Sequence, residues 1–467
     1  MGNHSKLDRF STNGSTQTEP SAGLKATGFT AGTQPVAKNM NWLLSETIDK
    51  VNDVLEDGTI SGFDDSVGMA PIIQKYIPAG GDAGWSQAFD GPNLIEHGAA
   101  LAWVDLCAHV TSAGVREVLA LDGNSSCQVT RFDATTGALN GVSGDLSTGN
   151  LPAVGTEDWV PECMCSDGTT VYIMFGDQDA APNQTYYVQA FTIATWAAKS
   201  GWPATGCELT GTGPMPNAWN HGGIVVASAT QIATANPWVS RASADSECLT
   251  VIGMADGVID QEGAGDIPGG VALDLTSDGT YLYTFTSQND VCSATISLLN
   301  TAIGGNWPFL TALSQLRDIL HTGSIIVASW ETATGRIATT HTQADGELAD
   351  FDCGIAEMAQ YGGTVAWDGL CLWQRVGIDI NGQAKSAVIR MDIGTSTYET
   401  SGTIGTIAPA ENFIKSVMVL DFAVVDAVYN HLAPIMFDGR DIWLAGDMRD
   451  TQTLSGNIYR IPKAVLR

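Results

Sequence analysis

Seven histidines, His4, His97, His109, His221, His321, His341 and His431, are scattered along the chain. None has the His-x-Glu or His-x-x-x-His spacing that would set two ligands on one metal. No Gly-x-Ser-x-Gly elbow, phosphate loop or dinucleotide fingerprint occurs either. Carboxylates are better grouped. Asp256, Asp260, Glu262 and Asp266 share a Gly-rich stretch, Asp177 and Asp179 lie near Asn183, and Asp438, Asp441, Asp447 and Asp450 form a third group. Carboxylate pairs can cleave glycosides, and oxygen-rich loops can hold Ca²⁺. The spacing fits no complete EF-hand, and aspartate is equally at home in turns because it bonds its own backbone. The first group is the candidate Ca²⁺ site, no other cofactor is indicated, and no enzymatic activity is expected.

The nine cysteines are odd in number and dispersed, with one close pair, Cys163 and Cys165. Residues two apart on a strand share a face, so these thiols are expected side by side, buried and reduced. Tryptophans are the other chemical candidates. Trp202 and Trp307 stand in similar Ser-Gly-Trp-Pro and Gly-Asn-Trp-Pro settings, and are expected to pack between repeats or, if exposed, to offer a flat apolar face to a partner.

What must position these residues is a set of repeats. From about residue 99, apolar strand-like runs alternate with Gly/Asp turns. An Asp-Gly pair followed by an aromatic or β-branched strand occurs at Asp167-Gly168, Asp278-Gly279, Asp368-Gly369 and Asp438-Gly439, with weaker equivalents at Gly123, Gly223 and Gly323. These markers stand roughly 45 to 70 residues apart, against ~40–50 for a four-stranded propeller blade. The long last interval predicts an insertion between about 402 and 430. A second signature, a strand closing on Asp and a turn, recurs at 129–137, 388–395 and 456–461, and is expected for a blade's third or outer strand. The fold expected is all-β, a β-propeller of about seven blades. A pair of β-sandwiches is the alternative. Residues Ala99 to Leu106 are expected to close the ring beside the last strand, Asn457 to Ile461. A sialidase-like propeller is excluded because the repeats lack its Ser-x-Asp-x-Gly-x-x-Trp boxes.

Residues 1–27 are rich in Ser, Thr, Gly and Asn and are expected to be extended or disordered unless a partner orders them. Beyond Pro35, Val36, Met40, Leu43, Leu44, Ile48, Val51 and Leu55 recur at intervals of three and four, which predicts an amphipathic helix over about 35–56. The stretch carrying Gly28, Phe29, Gly32, Pro35, Ala37, Asn41, Trp42, Leu43 and Leu44 resembles an N-terminal motif of bacteriophage tail-fibre and related tail proteins. The resemblance covers about 30 of 467 residues. It implies that residues 1–60 anchor the chain to a virion, with 61–98 a linker and 99–467 the propeller. It further implies a tail fibre or receptor-facing tail component, assembled in the host cytoplasm, homo-oligomeric, and bound to other tail proteins and a host glycan or protein. A nozzle or baseplate subunit, or a secreted glycan-binding propeller, is the alternative.

Composition narrows the partners. The formal charge is −30 from 51 acidic and 21 basic residues, which repels phosphate backbones and argues against nucleic acid. Hydrophobic residues make up 44%, enough for a large core. No secretory signal and no run of about 18 apolar residues is present, so membrane insertion is not expected.

Overall fold

The computed structural model describes residues 94–96 and, within 103–462, the strands given below with their short turns. The attachment residues Gly28 to Leu44 and the helix expected over 35–56 lie outside the described residues. All regular elements described are strands.

The strands run in chain order. β1 (Leu94–Glu96) comes first. β2 (Trp103–Val110), β3 (Arg116–Asp122), β4 (Val129–Asp133) and β5 (Leu139–Val142) make one antiparallel sheet. β6 (Trp159–Ser166), β7 (Thr170–Asp177), β8 (Tyr186–Thr192), β9 (Ala197–Ala198) and β10 (Cys207–Leu209) make the second, in which β9 and β10 both pair with β8. The third holds β11 (Ile224–Val226), β12 (Gln231–Ala235), β13 (Leu249–Gly253) and β14 (Ile259–Gly263), and the fourth β15 (Ala272–Ser277), β16 (Tyr281–Thr286), β17 (Asp290–Thr295) and β18 (Phe309–Leu310). The fifth holds β19 (Leu316–His321), β20 (Ile326–Trp330), β21 (Arg336–Thr342) and β22 (Gly346–Asp352), and the sixth β23 (Tyr361–Trp367), β24 (Leu372–Ile380), β25 (Gln383–Met391) and β26 (Ile414–Leu420). The last contains β27 (Ile435–Phe437), β28 (Asp441–Ala445) and β29 (Asn457–Pro462), completed by β1.

The chain is therefore an all-β propeller rather than a pair of sandwiches. Its sheets are covered on both faces, so middle strands read as unbroken apolar runs instead of alternating ones. β13 and β28 are buried at every position, and β3 at all but its first. Between consecutive sheets lie separate apolar clusters. One joins Leu119, Val129 and Trp159 to Phe175 and Phe191, and another joins Trp103, Val118 and Phe132 of the first sheet to Trp443 and Ile458 of the last. Complete burial of each such side chain contributes roughly 1.5–3 kcal/mol. The first strand of each sheet packs on the first strand of the next: β2 on β6, then β11, β15, β19, β23 and β27, which packs back on β2.

Three expectations are corrected in detail. The strand that completes the last sheet is Leu94–Glu96, paired antiparallel with β29 through Leu94–Tyr459 and Glu96–Asn457, while Trp103–Val110 is the first strand of its own sheet. Ring closure thus begins ahead of residue 99. Gly123 and Gly223 are not equivalent to the other turn markers: Gly123 follows β3 and Gly223 precedes β11. The equivalent turns are at Gly114 in the first sheet and Ser228–Thr230, without glycine, in the third. Part of the stretch predicted as an insertion is β26, the fourth strand of its sheet. The strands at 129–137, 388–395 and 456–461, β4, β25 and β29, are each third in their sheets, as expected.

Candidate functional site

The repeated Asp-Gly turns are built alike. Asp278 Oδ1 accepts from Thr280 N at 2.8 Å and Tyr281 N at 2.7 Å, and its Oδ2 accepts from Tyr283 Oη at 2.7 Å. Asp167 does the same with Thr169 N, Thr170 N and Tyr172 Oη. Asp368 and Asp438 hold the turn amides and the indole Nε1 of Trp373 and Trp443. Gly279 and Gly439 follow at φ +88 and +91, where a side chain would be strained. Where Asp is replaced by Thr322 or Ser228, the residue five further on is Val327 or Ala233, with no donor to receive. These aspartates are thus structural, each coupling a turn to a buried aromatic ring. A cation covers several of the rings: Arg390 over Trp373, Arg460 over Trp443 and Lys199 over Tyr172.

A second set of aspartates escaped sequence reading. Asp105, Asp274 and Asp318 lie on first strands, each beside a register shift in its pairing with the second strand. In each, Oδ1 accepts from the next residue's amide: Leu106 at 2.7 Å, Leu275 at 2.8 Å and Ile319 at 2.7 Å. The other oxygen reaches the neighbouring sheet. Asp105 Oδ2 accepts from Met164 N of β6 and Asp318 Oδ2 from Val365 N of β23, both at 2.7 Å. Asp274 instead hydrogen-bonds the Asp318 side chain. A first strand is an open sheet edge with unpaired amides, and these carboxylates cap such edges from one sheet to the next.

Of the four candidate Ca²⁺ residues, Asp256, Asp260 and Glu262 are described. Asp256 Oδ1 accepts from Val258 N at 3.2 Å within the β13–β14 turn, and Asp260 Oδ2 accepts from Gln231 Nε2 at 2.8 Å. Glu262 sits on β14 opposite Thr250, and Asp266 lies outside the described residues. Among the described residues no group of three His, Cys, Asp or Glu side chains is placed to hold a metal. Asp177 is on β7, while Asp179, Asn183, Asp447 and Asp450 lie outside the described residues. Asp441 is engaged with Arg460 at 3.4 Å.

Cys163 and Cys165 are buried in one apolar cluster with Tyr172, Trp202 and Cys207, and the cysteines described are free thiols. Burial pushes Cys107 and Cys207 up to about 12 and Cys163 and Cys165 well above the ordinary thiol value, the nearby carboxylates adding to the effect. Such thiols stay protonated and are poor nucleophiles. Trp202 packs between the second and third sheets: its Nε1 donates to Met254 O at 2.9 Å. Trp307 lies outside the described residues. Trp202→Phe keeps most of the apolar area but strands a buried carbonyl, and is expected to lower unfolding free energy by roughly 1–3 kcal/mol in denaturant titrations.

One polar cluster is left between the first and second sheets, and its members are not neighbours in sequence. His109 and Glu117 face each other across β2 and β3, with Nε2 and Oε2 3.7 Å apart. Arg131 Nη2 donates to Glu117 Oε1 at 3.0 Å, and Asn140 Nδ2 donates to the same oxygen. Arg131 Nη1 donates to Ile193 O at 3.2 Å. Desolvation holds His109 below its ordinary value despite the attraction of Glu117, so it is neutral at pH 7. Only pairing the strands reveals the group.

No protein-family profile and no curated protein matches the sequence. Among solved structures, the chain is similar to the WD40 repeats of RRP9, at 12% identity and TM-score 0.48, covering 79% of this chain and 97% of that one. It is similar to U3-55K at 12% identity and TM-score 0.47, covering 79% of this chain and 98% of that one. Neither a family profile nor a curated protein supports the tail-component expectation, as fibre or as nozzle, and it is withdrawn. That expectation hung on about 30 residues outside the described ones, and a propeller body does not by itself specify an assembly.

Proposed function

We propose that the chain is a closed, seven-bladed, non-enzymatic propeller that serves as a platform for protein partners. The seven sheets and the unbroken cycle of first-strand contacts support the blade count. Support for a non-catalytic role comes from the commitments of the polar groups: the turn aspartates are spent on amides and aromatic donors, and the buried thiols are protonated.

One observation carries the partner reading. Val110, Val115, Leu139, Val258 and Leu370 are 42–60% exposed, and all stand at turns joining first to second or third to fourth strands. In a meander those turns share one end of the sheet, so the exposed large apolar groups gather on one face of the ring. Exposed apolar surface of this kind marks contact sites. A photo-crosslinking residue at Val110 or Leu370 is expected to yield discrete protein adducts in native extract. Val142, exposed at the other end of β5, is the control and should yield none. Equal labelling from all three, or none from the turn face, removes the reading.

A further inference from the structure

We propose that the turn face, where the last sheet meets the first, docks an acidic polypeptide segment whose aspartate or glutamate carboxylates meet Arg116 and Arg440. The proposal rests on the partner-platform reading and gives that partner its charge.

The chain is strongly acidic, with 51 Asp and Glu against 21 Lys and Arg. Most of the turn face follows suit: Asp167, Asp256 and Asp278 stand exposed at turns of the second, third and fourth sheets. At the joint between the last sheet and the first, the pattern inverts. Three arginines surround the turn at 438–441, and its two aspartates face inward, Asp438 with its side chain 1% exposed and Asp441 3%. The outward charges are Arg440, 57% exposed, and Arg116, 34%. Arg460 is already engaged, lying over Trp443 and donating to Thr135 O. The outer two retain donors. Arg116 uses only Nη2, which donates to Asp438 Oδ1 and Asp438 O, both at 2.7 Å. Arg440 Nε stands 3.9 Å from Asp441 Oδ1, too far for a hydrogen bond. Among the described residues, Nε and Nη1 of Arg116 and both Nη groups of Arg440 meet no acceptor. Gly439 puts no side chain beside Arg116: a Cβ there would lie 3.6 Å from Nη2.

A guanidinium is a planar fork that takes a carboxylate through two parallel bonds, so two forks on one turn suit a segment carrying more than one carboxylate. Asp133 also lies near Arg460, and its Oδ1 is held by the amides of Thr135 and Thr136. Apolar contact adjoins the charges. Val115, 42% exposed, precedes Arg116, and Leu139, 54% exposed, follows the turn that Arg460 holds. At physiological salt, charges act over about 8 Å, so an acidic segment at this joint responds to the arginines rather than to the net charge of the chain. A basic segment is drawn instead to the turns that expose aspartate.

The test is fluorescence anisotropy on the full chain with three short labelled peptides, in which leucine alternates with glutamate, glutamine or lysine. Saturable binding is expected from the glutamate peptide alone. Arg440→Gln, at an exposed position, should leave Tm unchanged and weaken that binding about tenfold, as for loss of a hydrogen bond to a charged group. Lys199→Gln, which removes a cation of the second sheet, should leave the affinity unchanged. No saturable binding, equal binding of all three peptides, preference for the glutamine or lysine peptide, or equal affinity in wild type and Arg440→Gln would each overturn the assignment. So would an Arg440-dependent dimer in sedimentation velocity, which makes a second copy of the chain the occupant. Arg440-dependent binding of the glutamate peptide alongside failed cross-linking from Val110 and Leu370 would remove the apolar platform and leave the arginine surface standing. Discrete cross-links with no such binding would do the reverse.

Discussion

Asp438→Ala is expected to cost about 2–4 kcal/mol of stability, through the loss of a buried carboxylate that holds two amides, an indole N–H and a half-buried guanidinium, while Asp278→Ala, in the same turn geometry, costs only about 1–2 kcal/mol. Both carboxylates hold two turn amides and one aromatic donor. The difference lies in burial and in the ring seam. The Asp438 side chain is 1% exposed and accepts from Arg116 Nη2 at 2.7 Å, whereas Asp278 is exposed and is held by Thr280, Tyr281 and Tyr283 of its own sheet. Arg116 belongs to the first sheet and Asp438 to the last. The alanine variant therefore strands the indole N–H of Trp443 and two amides, and frees the half-buried Arg116 guanidinium, at the joint that closes the ring. Arg460, which donates to Thr135 O at 2.8 Å, and the swapped β1 hold the same joint from other sides, so the variant should still fold. Guanidinium titrations of the two variants give the comparison. Equal losses would mean that the seam contributes nothing beyond the turn.

The turns were legible in sequence because Asp-Gly is a local device: its bonds reach two, three and five residues along the chain, and their partners can be read in order. The propeller followed from counting such turns. Gly123 misled because an Asp-Gly pair also occurs at the far end of β3, where nothing local separates it from a first turn. Asp105, Asp274 and Asp318 were missed for the opposite reason. Each sits inside an apolar run, and its decisive partner lies in the next sheet, 59 residues away for Met164 and 47 for Val365. A charge in the middle of a strand with no turn nearby was the available signal. The cluster of His109, Glu117 and Arg131 likewise depends on register across β2, β3 and β4. Leu94–Glu96 was passed over because three residues carry no periodicity, and the last sheet's need for a fourth strand is a fact about topology rather than about any residue.

The edge-capping aspartates should give the protein an unusual pH response. Burial pushes Asp105 up to about 7 against its two backbone hydrogen bonds, and Asp318 to about 6. Burial, with the charge of Asp318 beside it, drives Asp274 well above the carboxylate range. In the unfolded chain all three titrate near ~3.9, so the folded state binds more protons between these values. Their contribution to stability is full below pH ~4 and is lost as pH rises through about 6 and 7. The turn aspartates work in the other direction. For Asp167 and Asp278 the upward push of burial is outweighed by hydrogen bonds from turn amides and from Tyr172 or Tyr283. With folded values depressed, their contribution is full above ~3.9 and fades as pH falls through them. The two sets oppose each other, and thermal stability should peak on the acid side of neutrality, between about pH 4 and 6. Asp274→Asn separates them. The protonated carboxyl of Asp274 is the donor to Asp318, and an amide supplies that donor at every pH while its oxygen still accepts from Leu275 N. The variant should match wild type in Tm near pH 4 and exceed it at pH 8, with a flatter profile between. A Tm lowered equally at both ends would mean that Asp274 and Asp318 share no proton and that their carboxylates are held apart by the sheets instead.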